Sequence, residues 1–350
     1  MIDFLLGKYP SAVKEHDKFK SYTVPLEEFS SLKHGAGLRI CFDSVIIRMH
    51  GKDVPDFVHR VSTNSIIGLP PNSVRNTLFL NEKGRFIDRA LFISLDNEYF
   101  LIGSDDHEKR LLSWINKFII MEDIKTSDIS SEYFLLELIG AQAESFLMLI
   151  IGKEISTISG EFIRKFYVDG FDFLLFPYQM TDSLKSYRIL IGRDKAEGFI
   201  DYLFQLSGIF DLLLAGEDAF ESYRIKYGIP SFPNEINDST NPHEVNLLHE
   251  VNFKKGCYIG QEVIARLDTY DKVRRNMYPV VFHGETGRLS DRTIYGSLLT
   301  PSGLLTSISP LKLNGELNGI ALINRKSIEG EEHLFLLNND EKIPFEIGRF

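Results

Sequence analysis

The chain has 350 residues, of which 43% are hydrophobic and 25% charged, with 13 prolines. At roughly 150 residues per domain this length suggests about two or three domains, and the composition is too apolar for a disordered chain. Thirty-nine cations against 49 anions give a net charge of −10, which argues against bulk nucleic-acid coating and against lying on an anionic membrane.

The two cysteines, Cys41 and Cys257, are far apart in sequence and neither sits in a CxxC. A disulfide framework and a four-cysteine cluster or zinc site are excluded. The nine histidines form no HExxH, and the nearest pair, His243 and His249, falls on different helix faces, so no metal site is expected. The longest apolar run, Phe146 to Ile151, is six residues, against ~20 for a membrane span. No membrane association is expected, and the reading is a cytoplasmic or organelle-matrix protein.

Residues 1–24 are polar without a clear period and read as an extension. A strand-like pattern covers 38–50. Asp53 then N-caps a short helix with Val54, Phe57, Val58 and Val61 on one face. Strands follow at 76–81, 85–95 and 98–103, the first two separated by the turn Asn81-Glu82-Lys83-Gly84. Asp105 is placed to cap an amphipathic helix carrying Leu111, Leu112, Ile115, Phe118 and Ile119, with Glu108 at capping-box spacing. Strands at 133–139, 161–168, 171–177 and 187–192 interleave with helices near 141–150 and 194–207. This order predicts an α+β fold with antiparallel-rich sheets.

Residues 217–227 read as a helix, and 228–246 as a polar, proline-punctuated loop of 19 residues, a length usual for functional loops or linkers. After 276, short strands at 277–283, 294–299, 304–308, 317–324, 333–338 and 343–347 suggest a small C-terminal β-barrel. The expected division is an extension at 1–24, a body at 25–275 and the barrel at 276–350. The body is read as two interleaved subdomains, the inner one near 125–215.

The most unusual stretch is Lys254-Lys255-Gly256-Cys257-Tyr258-Ile259-Gly260-Gln261-Glu262. A helix is expected just after Gly260, with Glu262 and Arg266 paired at i,i+4. A thiol beside lysines and ahead of a helix N-terminus has surroundings that favour thiolate, and flanking glycines allow close approach. The plain alternative is a small buried hydrophobe. Neither a GxxxxGK[ST] nor a GxGxxG is present, so this is not a phosphate loop. From Lys254 to Arg275 six cations (Lys254, Lys255, Arg266, Lys272, Arg274, Arg275) outnumber Glu262, Asp268 and Asp271. That island at 254–275 suits RNA phosphates, an acidic partner or plain solvent.

Lys255-Gly256-Cys257-Tyr258-Ile259-Gly260-Gln261-Glu262 resembles the K-G-C-[FY]-x-G-Q-E signature of YgfZ proteins, folate-binding relatives of the glycine-cleavage T-protein. Arg224-Ile225-Lys226-Tyr227-Gly228-Ile229-Pro230 resembles that family's R-I-E-A-G-I-P, and Pro242 to Leu247 its P-x-E-x-N-L. Val45 through Phe92 resembles its N-terminal region. The resemblance implies a ring-like T-protein fold with a ferredoxin-like part, around a central tetrahydrofolate pocket. It also implies support of iron–sulfur cluster assembly or repair in client enzymes, tRNA-modifying ones included. Partners would be those clients or assembly factors. Cys257 becomes the reactive residue, within the motif Lys255, Gly256, Tyr258, Gly260, Gln261 and Glu262.

Arg224 and Tyr223 become folate-binding candidates by motif position, with Arg224 suited to a glutamate-tail carboxylate. Asn64 and Asp88 are further candidates. T-proteins carry G-G-x-x-D-D, where this chain has Gly84-Arg85-Phe86-Ile87-Asp88-Arg89, and G-E-x-G-[FY]-E, where it has Tyr167-Val168-Asp169-Gly170-Phe171-Asp172. Arg89 and Val168 thus replace two carboxylates suited to handling an aminomethyl donor. Folate binding is expected without aminomethyl transfer. The alternatives are a folate-dependent one-carbon transferase and a non-catalytic RNA-binding scaffold.

Overall fold

The computed structural model describes residues 1–42, 44–96, 98–105, 109–158, 160–284, 286–287, 289, 291–330, 333–339 and 341–348. The chain opens with helix α1 (Ile2–Lys8) and the hairpin β1 (Val13–Glu15) and β2 (Lys18–Ser21). Helix α2 (Pro25–His34), strands β3 (Gly37–Cys41) and β4 (Ser44–His50), and helix α3 (Val54–Val61) follow. Next come β5 (Ser73–Leu80), β6 (Phe86–Ser94), β7 (Tyr99–Asp105), α4 (Arg110–Phe118) and β8 (Lys125–Asp128). Then come β9 (Tyr133–Ile139), α5 (Ala143–Ile151), β10 (Arg164–Val168), β11 (Phe171–Gln179), β12 (Lys185–Gly192) and α6 (Ala196–Leu206).

These strands form two five-stranded antiparallel sheets, in the orders β5-β6-β7-β4-β8 and β10-β11-β12-β9-β3. The sheets face each other. Along β6, Leu91 and Ile93 point to the core between the sheets, while Ala90 and Phe92 point to the opposite core under α3 and α4. Along β9, Leu135 faces the first sheet, while Phe134 and Leu136 face α5 and α6. Period-two alternation with both faces covered explains why such strands are apolar almost throughout. β3 joins the later strands although it precedes the whole first sheet, so the chain crosses between sheets next to Cys41. β8 pairs with β4, which assigns Lys125–Asp128 to the first sheet rather than to the unit read near 125–215.

Residues 1–24 are part of the fold, not an extension. Leu5, Phe19 and Tyr22 are buried with the second sheet, and Phe19 stacks on Tyr22 at 4.8 Å between centroids. The buried Glu28 carboxylate accepts the backbone N–H of Tyr22 and of Thr23, at 2.7 and 2.6 Å, and that of Gly216 at 2.8 Å. The apolar anchors are spread over a short helix and a short hairpin, so no single period reveals them. Asp53 does not cap α3 with its side chain; its carboxylate accepts the N–H of Asp123. The capping reading on Asp105 and Glu108 falls on side chains outside the described residues.

Helix α7 (Glu217–Lys226) leads into a long segment holding only a single 3-10 turn at Leu248–Glu250, then α8 (Gln261–Tyr270). The third sheet follows: β13 (Arg275–Phe282), β14 (Thr293–Tyr295), β15 (Pro301–Leu313), β16 (Glu316–Asn324), helix α9 (Arg325–Glu329), β17 (Phe335–Asn338), β18 (Glu341–Pro344) and β19 (Glu346–Ile347). Its order is β18-β17-β14-β15-β16-β13-β19. Val280, Ile294, Leu305, Ile323 and Leu336, from five of its strands, share one core, so the sheet wraps on itself. Register shifts within β15 supply the bend.

The segment from 228 to 250 is a clamp. Its three glutamates, Glu235, Glu244 and Glu250, are buried at 0, 5 and 1% exposure. Each takes an arginine from another element. Glu235 holds Arg224 of α7 and the hydroxyls of Thr306 and Ser307 on β15. Glu244 joins Arg85, in the β5–β6 turn, to Arg275 of β13. Glu250 holds Arg89 of β6. These pairs lock the third sheet onto the first.

Candidate functional site

The two five-stranded sheets and α7 enclose a central cavity of about 150 Å³. One wall is a cluster around Glu137 of β9, which is fully buried. Its carboxylate accepts from Ser186 Oγ at 2.6 Å and from Arg188 Nε at 3.3 Å, and lies 3.6 Å from Arg39 Nη1. Burial alone would raise this carboxyl, but Arg188 and Arg39 outweigh it and hold it below the usual range. Both arginines lie against rings: Arg188 over Tyr178 at 3.3 Å, Arg39 over Phe220 at 3.8 Å. Arg39 Nε is buried without a partner among the described residues. Two ring-backed guanidiniums share Glu137, and Arg39 Nη2 also lies 3.8 Å from Glu217, which makes a flat, donor-rich wall. Arg39, Glu137, Tyr178 and Arg188 belong to no motif singled out in the sequence. The only trace they leave is a charged residue interrupting an otherwise apolar strand, as Arg39 and Glu137 do in β3 and β9.

The sequence-derived candidates divide. Arg224 lines the cavity, yet its side chain is committed elsewhere. Nε and Nη2 hold both Glu221 oxygens at 2.7 and 2.6 Å, Nη2 also reaches Ser307 Oγ, and Nη1 holds Glu235 and the Ile229 carbonyl. Five donors meet five acceptors, which leaves none for a ligand carboxylate. Arg224 is therefore a strut between α7 and β15. Tyr223 packs in a core with Phe29 and Tyr227 and does not line the cavity. Asn64 is a turn residue: its amide donates to the Asn76 carbonyl and its Oδ1 accepts the Ser65 N–H.

Asp88 stands just behind the cavity. A Cβ on Gly103, a lining residue, would lie 2.7 Å from Asp88 Oδ2. The carboxylate accepts the N–H of Arg89 and of Ser104, while burial pushes its pKa up to about 6. Arg89, in the place of the second acid, lines the cavity and forms a buried pair with Glu250, Nη2 to Oε1 at 2.6 Å. Its Nη2 also donates to the carbonyls of Gln179 and Met180. Val168 ends β10 and pairs with Phe171, at the opposite end of β11 from Tyr178. Seven residues of strand put roughly 23 Å between Phe171 and Tyr178. Val168 does not line the cavity, so a carboxylate missing there leaves its wall unchanged.

The Lys255–Glu262 signature does not line the cavity either. Lys255 turns inward, and its ammonium caps the C-terminal end of α3 and the residues beyond: the carbonyls of His59, Ser62 and Asn64 accept from it. Burial pulls its pKa down to about 8. It is therefore spent on backbone and does not stand as a free cation beside the thiol. Tyr258 is buried, and Ile259 packs against the core under α3. Gly260 has φ +85°, and a Cβ there would meet the Asn81 carbonyl at 2.6 Å and Gly84 Cα at 3.1 Å. The close approach is thus made by the β5–β6 turn, not by a ligand.

Gly256 faces open space and Cys257 is exposed. Gln261 and Glu262 open α8, where no Glu262–Arg266 ion pair forms among the described residues. Cys41 is the buried thiol, on β3 at the cavity wall, and burial pushes it up to about 11. Among the described residues no three His, Cys, Asp or Glu side chains converge as a metal site. No helix among them is long and apolar enough to cross a membrane.

Residues 17–255 match the family model described as the GCVT N-terminal domain. The chain belongs to the GCVT family. It is 24% identical over 346 residues to an aminomethyltransferase of Staphylococcus carnosus, covering 95% of this chain and 88% of that one. It is 26% identical over 233 residues to a putative chloroplastic transferase of Arabidopsis thaliana, covering 66% of this chain and 52% of that one. The fold matches the crystal structure of the glycine cleavage system aminomethyltransferase T from Bartonella henselae with a TM-score of 0.80. That match covers 99% of this chain and 95% of the other at 16% identity. This is the antiparallel-rich T-protein architecture expected from the sequence.

Proposed function

We propose that this GCVT-family chain binds tetrahydrofolate in the central cavity without transferring aminomethyl groups, and that Cys257 serves iron–sulfur proteins as in YgfZ-type relatives. The observation that carries the reading is the Arg89–Glu250 pair. Where the T-protein pattern has a second acid, this chain has a guanidinium, and the nearest added carboxylate is bound to it. Glu137 is neutralised in the same way by two arginines. Glu217, the other carboxylate in the lining, lies 3.8 Å from Arg39 Nη2, so the cavity offers donors and π-faces, and each lining carboxylate stands beside a guanidinium.

The wall fits a folate ring. Tyr178 and Phe220 supply flat apolar faces, Arg39 and Arg188 supply donors, and the unpartnered Arg39 Nε has a donor to give. At about 150 Å³ the cavity is smaller than the ~300–1,000 Å³ of drug-sized ligand sites, so it suits the ring end, with the tail outside. Folate, when bound, would supply one-carbon chemistry; the chain's own part is to bind and orient it. The thiol is a separate matter, because Cys257 is exposed and outside the cavity.

A second reading, aminomethyl transfer, is favoured by Asp88 alone, whose raised pKa suits an acid–base role if Gly103 moves aside. Calorimetry with tetrahydrofolate on the wild type and on Arg39→Ala and Arg188→Ala tests the cavity. A loss of roughly tenfold or more is expected for each, the worth of a charge-assisted contact. Equal affinities would remove the ring from this wall. Release of ammonia from an aminomethyl–lipoyl carrier, dependent on tetrahydrofolate, would install the second reading. Cys257→Ser expressed in cells lacking the native protein tests the thiol: intact iron–sulfur enzyme activity there would end its proposed role.

A further inference from the structure

A second groove, of about 1030 Å³, runs between α8 and α9, far in sequence from the central cavity and sharing no lining residue with it. Its charges do not cancel. Arg266, Lys272, Arg274 and Lys326 line it, all exposed, and no carboxylate among the described residues lies within ion-pair distance of them. The two carboxylates in the lining, Asp271 and Glu329, are both taken by Arg325: Nη2 reaches Asp271 Oδ2 at 3.2 Å, and Nε lies 3.7 Å from Glu329. Glu262 and Asp268 of α8 do not line it. Within the 254–275 island, three drop out: Lys255 is buried on carbonyls, Arg275 is paired with Glu244, and Lys254 does not line the groove. Lys326, from the third sheet's helix, joins the rest. Folding thus concentrates four free cations on a chain of net charge −10.

Tyr270 ends α8 beside the lining residues Asp271 and Lys272, itself outside the lining. It is 64% exposed, Lys272 Nζ sits 5.3 Å from its ring centroid, and it lies one helical turn from Arg266. An open aromatic face flanked by unneutralised guanidinium and ammonium groups is the arrangement that stacks a base and holds its phosphates. We propose that the α8–α9 groove binds a short single-stranded polynucleotide, with phosphates on Arg266, Lys272, Arg274 and Lys326 and one base on Tyr270. The acidic remainder of the surface disfavours a duplex, whose charge would extend past the groove. An acidic peptide would use the cations but gain little from an exposed ring.

The test is fluorescence anisotropy of the full chain with labelled oligo(U) and oligo(dT) of about 12 nucleotides, the same length as duplex, and a poly-glutamate peptide. Both single strands are expected to bind better than duplex and peptide, and the preference between them tells RNA from DNA. Four phosphate contacts predict a roughly 50-fold loss of affinity between about 50 and about 200 mM salt. Lys272→Glu with Lys326→Glu should weaken binding at least tenfold and Tyr270→Ala roughly tenfold, all with an unchanged urea midpoint, since these side chains are exposed. Absence of binding at low salt, or binding that both variants leave untouched, overturns the proposal. Peptide binding as tight as oligonucleotide binding, insensitive to Tyr270→Ala, overturns it in favour of an acidic protein partner.

Discussion

Replacing Arg89 by methionine tests whether the pair that displaces the family's second acid also holds the fold together. The substitution keeps most of the stem but removes the partner of Glu250 and the donor to the Gln179 and Met180 carbonyls. Glu250, at 1% exposure, keeps the Asn76 amide at 2.9 Å and His249 Nε2 at 3.6 Å. Breaking a buried pair on one side costs about 3–5 kcal/mol, a large share of the ~5–15 kcal/mol that holds a typical protein folded. The double variant Arg89→Met with Glu250→Leu removes the orphaned charge and should cost less than Arg89→Met alone.

The pH dependence gives the sign. Burial would raise the Glu250 carboxyl, but Arg89 outweighs it and holds it below its ordinary value. Its contribution is therefore fully present above the unfolded value, ~4.3, and is lost as pH falls toward the folded one. Without Arg89 the carboxyl is raised instead, and its penalty fades on acidification. The gap between wild type and Arg89→Met, measured by urea unfolding, should be widest near neutral pH, narrow as pH falls toward ~4.3 while the variant's raised carboxyl protonates, and narrow further below that as the wild-type pair is lost. A gap under about 1 kcal/mol at neutral pH, or one that does not change with pH, would refute the assignment.

Arg224→Ala should lower the urea midpoint by the equivalent of about 3–5 kcal/mol, because Glu235 is left fully buried without its guanidinium. Ligand affinity of the remaining folded protein should change by less than about threefold; a tenfold loss at an unchanged midpoint would return Arg224 to the ligand site. Gly260→Ala should cost about 2 kcal/mol from left-handed backbone and the Asn81 carbonyl, while Gly256→Ala, facing open space, should lie within about 0.5 kcal/mol; a thermal scan showing equal shifts would contradict both. Iodoacetamide followed by mass spectrometry should label Cys257 in the folded protein and Cys41 only after unfolding, since Cys41 is buried and pushed up to about 11. Comparable rates at both thiols would negate this.

Much of the fold was legible because its strands obey a two-residue period under cover on both sides. The observed β5, β6, β7 and β9 lie within a few residues of their sequence positions. What periodicity cannot report is which sheet a strand joins. β3 looks like the first half of a hairpin with β4, yet it pairs with β9, almost a hundred residues on. The loop at 228–246 was legible as exceptional, but its work was not. Its glutamates, and Glu250 just beyond it, read as ordinary loop polarity until the fold brings Arg85, Arg89, Arg224 and Arg275 to them from four other segments.

The signature shows why motif position misassigns roles. Lys255, Tyr258 and Gly260 are all fixed by packing: one on carbonyls of the segment ending α3, one in the core, one against the β5–β6 turn. Between the first two sit Gly256 and Cys257, both open to solvent. A loop anchored firmly on each side of an exposed thiol holds that thiol outward, and the Lys255 ammonium that would have activated it is used as an anchor instead. The Lys255 ammonium is thus withdrawn from Cys257, and the thiol faces solvent for whatever docks against it. Arg39, Glu137, Tyr178 and Arg188, which build the cavity wall, carry no motif because β3, β9, β11 and β12 become neighbours only when the second sheet forms. Around the central cavity, the motif residues Arg224 and Tyr223 therefore hold the scaffold, and the lining that faces the open space is assembled from residues that only the fold brings together.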